Sequence, residues 1–455
     1  MTARKAADPR WTLVACILAS SLSFIDGSVL NVALPAIRAS THAGAAEVQW
    51  VVNAFTLPLA ALILLGGALG DHHGRRRWLV IGTVLFGGAS LVCALSGSLD
   101  MLLAGRALQG IGAALLLPNS LALLNGAYQG AKRGRAVGIW AAAGAISAAI
   151  APMIGGWLVA HAGWPSIFFI NLPIAAAAIL IALTKVPEAR EQEKARLDFA
   201  GAALATLGLG AATYGLTLWS SDRAFSATAG IALTAGAALL AGFILVERRL
   251  GAKAMIPLAL FANRCFSALN LMTFLLYGAF GGALLLIPYV LIEAGGYSPV
   301  QAGLSLLPLS ILIGIGSPLM GKLAARIGPR LPLTVGPGIV AAGMLLGTRI
   351  AADQSYWCHV FPAVTVMALG MALIVAPLTS AVLGSVEEHQ TGMASGFNSA
   401  LSRTGGLIAV ALLGGVLAGG GKAMLGPFAA ALVAMAVVAA SGAIAAWVGL
   451  NAAKR

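Results

Sequence analysis

Gly67-Ala-Leu-Gly-Asp71-His-His-Gly74-Arg75-Arg76 closes one long apolar run, and Gly321-Lys-Leu-Ala-Ala325-Arg326-Ile-Gly328-Pro329-Arg330 closes another. Glycine falls at the same two places in both copies, 254 residues apart (67 to 321), and both copies end in arginine. Each follows the second apolar run in a set of six. The repeat divides the chain into two similar halves, as in many membrane transporters, where the substrate site lies between repeats.

A helix crossing a bilayer needs about 20 mostly apolar residues. Fourteen runs qualify: residues 11–37, 48–69, 78–95, 101–124, 137–159, 167–183, 199–218, 227–246, 266–292, 302–320, 331–347, 360–383, 393–417 and 427–450. Backbone groups cannot stay unpaired in lipid, so each run is expected to be a helix. The sequence therefore predicts an all-α membrane protein with a bundle of fourteen transmembrane helices. Residues 1–185 hold one six-helix half and residues 264–455 the other. Residues 186–263 hold a linker, read as a solvated connection, and two extra helices.

Composition agrees: 59% of residues are hydrophobic and 9% charged, where a soluble domain carries about 25% charged residues. The net charge of +13 would suggest nucleic-acid binding in a soluble protein, but its placement argues otherwise. Alternate loops, starting with the N-terminus, collect 22 of the 28 basic residues. These are Arg4, Lys5, Arg10, Arg75, Arg76, Arg77, Lys132, Arg133, Arg135, Lys185, Arg190, Lys194, Arg196, Arg248, Arg249, Lys253, Arg264, Lys322, Arg326, Arg330, Lys454 and Arg455. The opposite loops hold only Arg38, Arg223, Arg349 and Lys422. This asymmetry predicts a bacterial inner-membrane protein with both termini cytoplasmic, lipid as its surroundings and no nucleic-acid partner.

Several chemistries are excluded. Cys16, Cys93, Cys265 and Cys358 lie in or beside apolar runs without metal-ligand spacing, and read as small core residues. His72 and His73 lack further ligands nearby, so no metal and no cofactor is expected. No G-x-x-x-x-G-K-[ST] phosphate loop is present, since Gly421-Lys422 is followed by Ala423. No Ser-His-Asp set suggests an enzyme.

Charges inside apolar runs are costly and point to function. Asp26 lies about 22 Å along the first helix from Trp11 at 1.5 Å per residue. That is roughly 8 Å from the outer edge of a ~30 Å hydrocarbon core. Arg106 sits about 8 Å inside the outer start of the fourth run. Opposite charges at one depth can pair. The pair is either a static link between helices or a protonation switch, because burial disfavours the ionised carboxyl while a neighbouring arginine favours it. Arg403 in the thirteenth run either lines a wet cavity that attracts carboxylates or bonds helix carbonyls.

The loop with Gly67, Asp71, Gly74, Arg75 and Arg76 is either a positive anchor or a latch. In the latch reading Asp71 caps a helix of the other half and the arginines change partners. Pro152, Gly155 and Gly156 in the fifth run either pack closely or bend the helix at the interface between halves. Trp50, Asn53, Phe55, Gln109, Asn119, Trp140, Asn31, Phe274, Tyr277 and Asn398 either pack helices together or supply the aromatic and amide lining that suits a lipophilic ligand.

These segments resemble the major facilitator superfamily, in particular its fourteen-span drug:proton antiporters. Phe24-Ile-Asp26-Gly-Ser-Val-Leu-Asn31-Val-Ala33-Leu34-Pro35 is similar to that group's first-helix signature. Gly67 to Arg76 resembles the superfamily loop motif, and Gly105-Arg106-Ala-Leu-Gln109-Gly110-Ile-Gly112 the span 4 motif whose arginine is implicated in proton transfer. Ala151-Pro152-Met-Ile-Gly155-Gly156 resembles the antiporter motif of span 5, and Trp164-Pro-Ser-Ile-Phe-Phe-Ile-Asn171-Leu-Pro173 the opening of span 6. The resemblance implies alternating access by two rocking halves, with proton entry driving efflux of a small molecule, by a monomer. A dedicated exporter of one endogenous metabolite or antibiotic fits the same motifs.

Overall fold

The computed structural model describes residues 8–189, 197–222, 225–251, 254–351, 355–387 and 390–452. Arg4, Lys5, Arg190, Lys194, Arg196, Arg223, Lys253, Lys454 and Arg455 lie outside the described residues. Among those described there is no strand.

The first half contains α1 (Pro9–Thr41), α2 (Ala45–His73), α3 (Arg75–Ala94), α4 (Leu99–Ala127), α5 (Gly130–Ala162), α6 (Ser166–Phe169) and α7 (Asn171–Lys185). The extra pair is α8 (Phe199–Asp222) and α9 (Ala227–Leu250). Then follow α10 (Arg264–Glu293), α11 (Pro299–Ser305), α12 (Leu307–Ile327), α13 (Arg330–Gly347), α14 (Phe361–Leu383), α15 (Thr391–Ala411), α16 (Gly414–Leu417) and α17 (Leu425–Ala452). We call the face bearing the α2–α3 turn the near face and the opposite one the far face.

Local chemistry sets the helix starts. Asp8 accepts from the Arg10 N–H at 2.9 Å and Ser98 from the Met101 N–H at 3.3 Å. Ser298 and Gln301 form a reciprocal capping box at the start of α11. Proline interrupts many helices internally, at Pro35, Pro58, Pro118, Pro152, Pro288, Pro318, Pro337 and Pro377. Such breaks are tolerated in bundles whose neighbouring helices satisfy the freed carbonyls.

Thirteen helical stretches among the described residues are long and apolar enough to span a membrane. The fourteenth expected run is helical but more polar, and it is not continuous. The sequence reading of one helix over 393–417 is corrected to α15 and α16, separated at Leu412–Leu413. The break lies where α8 crosses, with Gly414 so close that a methyl there would sit 2.5 Å from Ser220 Oγ and the Ser221 nitrogen. The run over 302–320 begins earlier than expected, at Pro299, and is interrupted at Leu306.

Burial sorts the helices. Only 11% of the most apolar window of α9 is buried against 72% of that of α10, so α9 lies at the periphery and α10 near the centre. One core, including Cys16, Leu22, Phe86 and Leu116, is built from the first half with Ala400 against it. A second core mixes α1 residues such as Val29, Leu34 and Ile37 with α10, α13, α14 and α17.

Contacts between the first and last six spans concentrate on two helix pairs. On the far face α5 meets α11, where a methyl on Gly156 would lie 2.4 Å from the Pro299 carbonyl oxygen and one on Gly303 2.4 Å from that of Pro152. Small residues allow this backbone contact. Nearby, Arg38 Nη1 donates to Tyr289 Oη at 2.8 Å, joining α1 to α10. Toward the near face α2 lies along α15, with Leu64 Cδ2 2.6 Å from a methyl placed on Gly396.

Replacement of Gly156 by leucine is expected to force α5 from α11 and to cost about 1–3 kcal/mol. Thermal unfolding in nanodiscs measures this against Gly88→Ala, whose added methyl meets nothing within 4 Å. Equal melting temperatures for the two variants would refute the tight far-face contact.

Candidate functional site

The first half holds a buried ion pair between Asp26 of α1 and Arg106 of α4, each 1% exposed. Their elements are pinned nearby by glycines: a methyl on Gly110 would lie 2.3 Å from the Phe55 carbonyl oxygen. That contact lets α2 approach α4 and puts the Val51 carbonyl within 3.1 Å of Arg106 Nε. Arg106 Nη1 bonds Asp26 Oδ2 and also donates to Gln109 Oε1 at 2.8 Å. Gln109 Nε2 donates to Asp26 Oδ1 at 3.2 Å and to Ser90 Oγ at 2.8 Å, and Asn171 Nδ2 donates to Ser90 Oγ at 3.3 Å. Phe55 and Phe168 flank the guanidinium, with ring centres 4.6 Å and 5.8 Å from its carbon.

The arrangement joins α1, α2, α3, α4 and α7 through one charge pair. Both carboxylate oxygens of Asp26 have partners, and Arg106 holds a carbonyl and an amide besides the acid. Chemically such a site can gain or lose a single charge while most of its hydrogen bonds persist.

The expected lining residues fall into separate groups. Gln109 and Phe55 belong to the ion-pair network. Asn119 pins α4 to α2, donating to Gly66 O at 2.9 Å and Leu115 O at 2.7 Å. Trp140 Nε1 donates to Ser20 Oγ at 3.0 Å and its ring meets Phe24 edge-on, joining α5 to α1. Trp50 faces the extra pair, its ring 6.3 Å from that of Tyr214. Asn398 of α15 donates to Asn270 Oδ1 and Thr273 Oγ1 of α10 at 3.1 and 2.7 Å. The Phe274 carbonyl lies 2.3 Å from a methyl placed on Gly405. Asn31, Phe274, Tyr277 and Arg403 are half-buried. Asn53 and its neighbour Gln49 are fully buried, and among the described residues neither amide has a partner and Arg403 Nε also lacks one.

The near-face turn differs from its sequence reading. Asp71 is engaged by Arg75 of its own turn, at 2.7 Å to both Nε and Nη2, rather than capping a helix of the other half. Glu188 of the linker takes the capping role. Its carboxylate accepts from the Arg76 and Arg77 N–H groups at 2.9 and 3.2 Å, at the positive start of α3. Arg76 Nη1 donates to Val186 O at 3.0 Å. Gly74 adopts φ +120°, where a side chain would be strained, and a methyl there would also strike the Glu188 carboxylate at 2.7 Å. A methyl on Gly67 would meet Pro118 Cβ at 3.4 Å.

Residues 16–268 and 269–455 both match the model of the Major Facilitator Superfamily. The chain belongs to the Major Facilitator Superfamily. Members of this superfamily are membrane transporters of small molecules, and the chain is accordingly a multi-pass transporter rather than an enzyme. It is 35% identical over 417 residues to the multidrug resistance protein Stp of Mycobacterium tuberculosis, covering 91% of this chain and 77% of that one. It is 32% identical to the tetracenomycin C resistance and export protein of Streptomyces glaucescens (90% and 76% covered). It is 34% identical to the methylenomycin A resistance protein of Bacillus subtilis (89% and 87% covered). A solved transporter of the POT family, in complex with a thioalcohol-conjugated peptide, shares the superfamily fold with TM-score 0.71 over 96% of this chain and 95% of its own, at 12% identity.

Within this superfamily fold, Ser90, Asn171 and the Val51 carbonyl are parts of the site that the sequence did not single out. Asn171 stood in the quoted span 6 motif, and only its type distinguished it there.

Removing one partner of a buried pair strands the other charge. Arg106→Ala is expected to lower stability by about 3–5 kcal/mol, whereas Asp26→Asn keeps an acceptor for Arg106 and loses less. Melting curves in nanodiscs compare the two; equal losses would show that Val51 O, Gln109 Oε1 and the substituted amide do not hold Arg106 once the acid's charge is gone.

Proposed function

We propose that this chain exports small lipophilic or cationic compounds across a bacterial inner membrane in exchange for protons, by alternating access. The buried Asp26–Arg106 pair is the observation that carries the reading. A proton arriving on Asp26 cancels its charge. Arg106 then relies on Val51 O and Gln109 Oε1, which already hold it. Protonation therefore changes the balance of the network without unmaking it, which suits a cycling switch better than a static strut.

The outward force is the proton gradient. One charge falling through 100 mV releases about 2.3 kcal/mol before any pH difference. Loop charge supports a cytoplasmic near face, with both termini on that side. The α5–α11 contact then closes the periplasmic end, and residues 1–185 and 264–455 rock about it and about the α2–α15 seam. Both repeats lie in one chain, which supports a working monomer. Asp71, Arg75, Arg76 and Glu188 are the near-face charges that exchange partners as it opens. The half-buried Asn31, Phe274, Tyr277 and Arg403, with Asn53, are the side chains we assign to the ligand.

The resistance and export roles in the names of relatives support the direction of transport. A second reading, export of a single endogenous antibiotic, draws on the relative named for tetracenomycin C export.

Everted vesicles containing the protein are expected to accumulate cationic and neutral dyes when energised and to lose them on adding a protonophore. Asp26→Asn should remain folded and abolish the protonophore-sensitive part. Uptake that survives the protonophore, or full transport by Asp26→Asn, would overturn proton coupling through this acid.

A further inference from the structure

A second pair of carboxyl groups lies apart from Asp26, at the near-face end of the extra helices. Asp198 precedes α8 and is 8% exposed; Glu247 sits in the last turn of α9 and is 0% exposed. Each has one oxygen occupied by backbone. Asp198 Oδ1 accepts from the Gly201 N–H at 2.7 Å, capping α8. Glu247 Oε2 accepts from the Ile256 N–H at 2.7 Å, which ties the end of α9 to the segment leading to α10.

The other two oxygens, Asp198 Oδ2 and Glu247 Oε1, are buried and have no donor among the described residues. They converge on one point. A methyl placed on Gly201 would lie 2.3 Å from Asp198 Oδ2 and 3.1 Å from Glu247 Oε1. Both oxygens therefore border the same small space beside Gly201.

An ionised carboxylate accepts hydrogen bonds and donates none. Two ionised groups here would leave two buried acceptors unpaired and add the repulsion of like charges. A single proton on either oxygen removes both costs, because the new O–H donates to the neighbouring carboxylate. Among the described residues no arginine or lysine forms an ion pair with either acid. A cavity of about 360 Å³ beside Glu247 is lined in part by Arg248, Pro257, Gln390 and Met393. Arg248 is the one basic side chain in that lining, and among the described residues it makes no ion pair with either acid. Around Gly201, α8 presents alanine, glycine and leucine.

We propose that Asp198 and Glu247 bind one proton between them, a site separate from Asp26 that fastens α8 and α9 to the segment entering α10. The native protein then holds a proton that the same carboxyls give up when unfolded near neutrality. The sign follows: stability falls as pH rises through the titration of the site.

The test uses the full chain in nanodiscs, melted between about pH 6 and about pH 9, a range above the ordinary carboxyl pKa values. The melting temperature of the parent protein is expected to drop with rising pH. In Glu247→Gln the amide carries fixed hydrogens toward Asp198 Oδ2 while its oxygen still accepts from Ile256, so that drop should shrink. Infrared spectra with labelled carboxyl carbons provide an independent reading. The parent protein should show the carbonyl stretch of a protonated acid at neutral pH that is lost in Glu247→Gln and in Asp198→Asn and kept in Asp26→Asn. Absence of that band from the parent protein would overturn the proposal even if no variant folds. So would an unchanged pH dependence in Glu247→Gln, or stability that follows sodium concentration in place of pH, which would mark a metal-cation site.

Discussion

A guanidinium with no access to water must be matched group by group, and that requirement organises the first half of this molecule. Arg106 is 1% exposed, and hydrocarbon offers it nothing. Its charge is met by Asp26, and two further donors by a carbonyl of α2 and an amide of its own helix. Glycine makes the match possible, since α2 and α4 could not approach closely enough with a side chain at Gly110. Packing and electrostatics are thus one constraint: the small residues exist where the charge needs backbone to come near.

The rest of the bundle is arranged around surfaces of unequal firmness. The α5–α11 contact is backbone against backbone, with glycine on both sides. The α2–α15 seam is softer, with a leucine end against Gly396. The extra pair is more than peripheral ornament, because α8 touches α2 through Trp50 and Tyr214 and reaches α15 through the Ser220 hydroxyl on Ala411 O at 2.6 Å. Helix α8 therefore spans the same seam on which the two halves meet.

Much of this was legible in the sequence because membrane physics is severe. Apolar runs of span length can scarcely be anything else, and a lone acid or arginine within one stands out against its neighbours. Equal depth even indicated which charges meet. What stayed hidden was direction around the helix axis. Gln109, Asn119 and Trp140 were all read as lining, but the first serves the ion pair and the others bond to neighbouring helices. Ser90 is an ordinary small residue until α3 is placed against α4. Glu188 looked like one charge among several in a solvated connection, and only the positive start of α3 beside it gives it a task. The interruption between α15 and α16 comes from a crossing helix distant in sequence, which no local pattern reports.

The shared network around Asp26 also bears on how this protein can change through descent. Asp26, Arg106, Gln109, Ser90 and Asn171 each complete a neighbour's hydrogen bonding, so their substitutions are strongly non-additive. A lineage altering any one of them passes through a weakened intermediate before a compensating second change arrives. Diversification of cargo should accordingly proceed by replacements elsewhere, on surfaces whose side chains owe nothing to their neighbours, while this five-residue knot is inherited as a block.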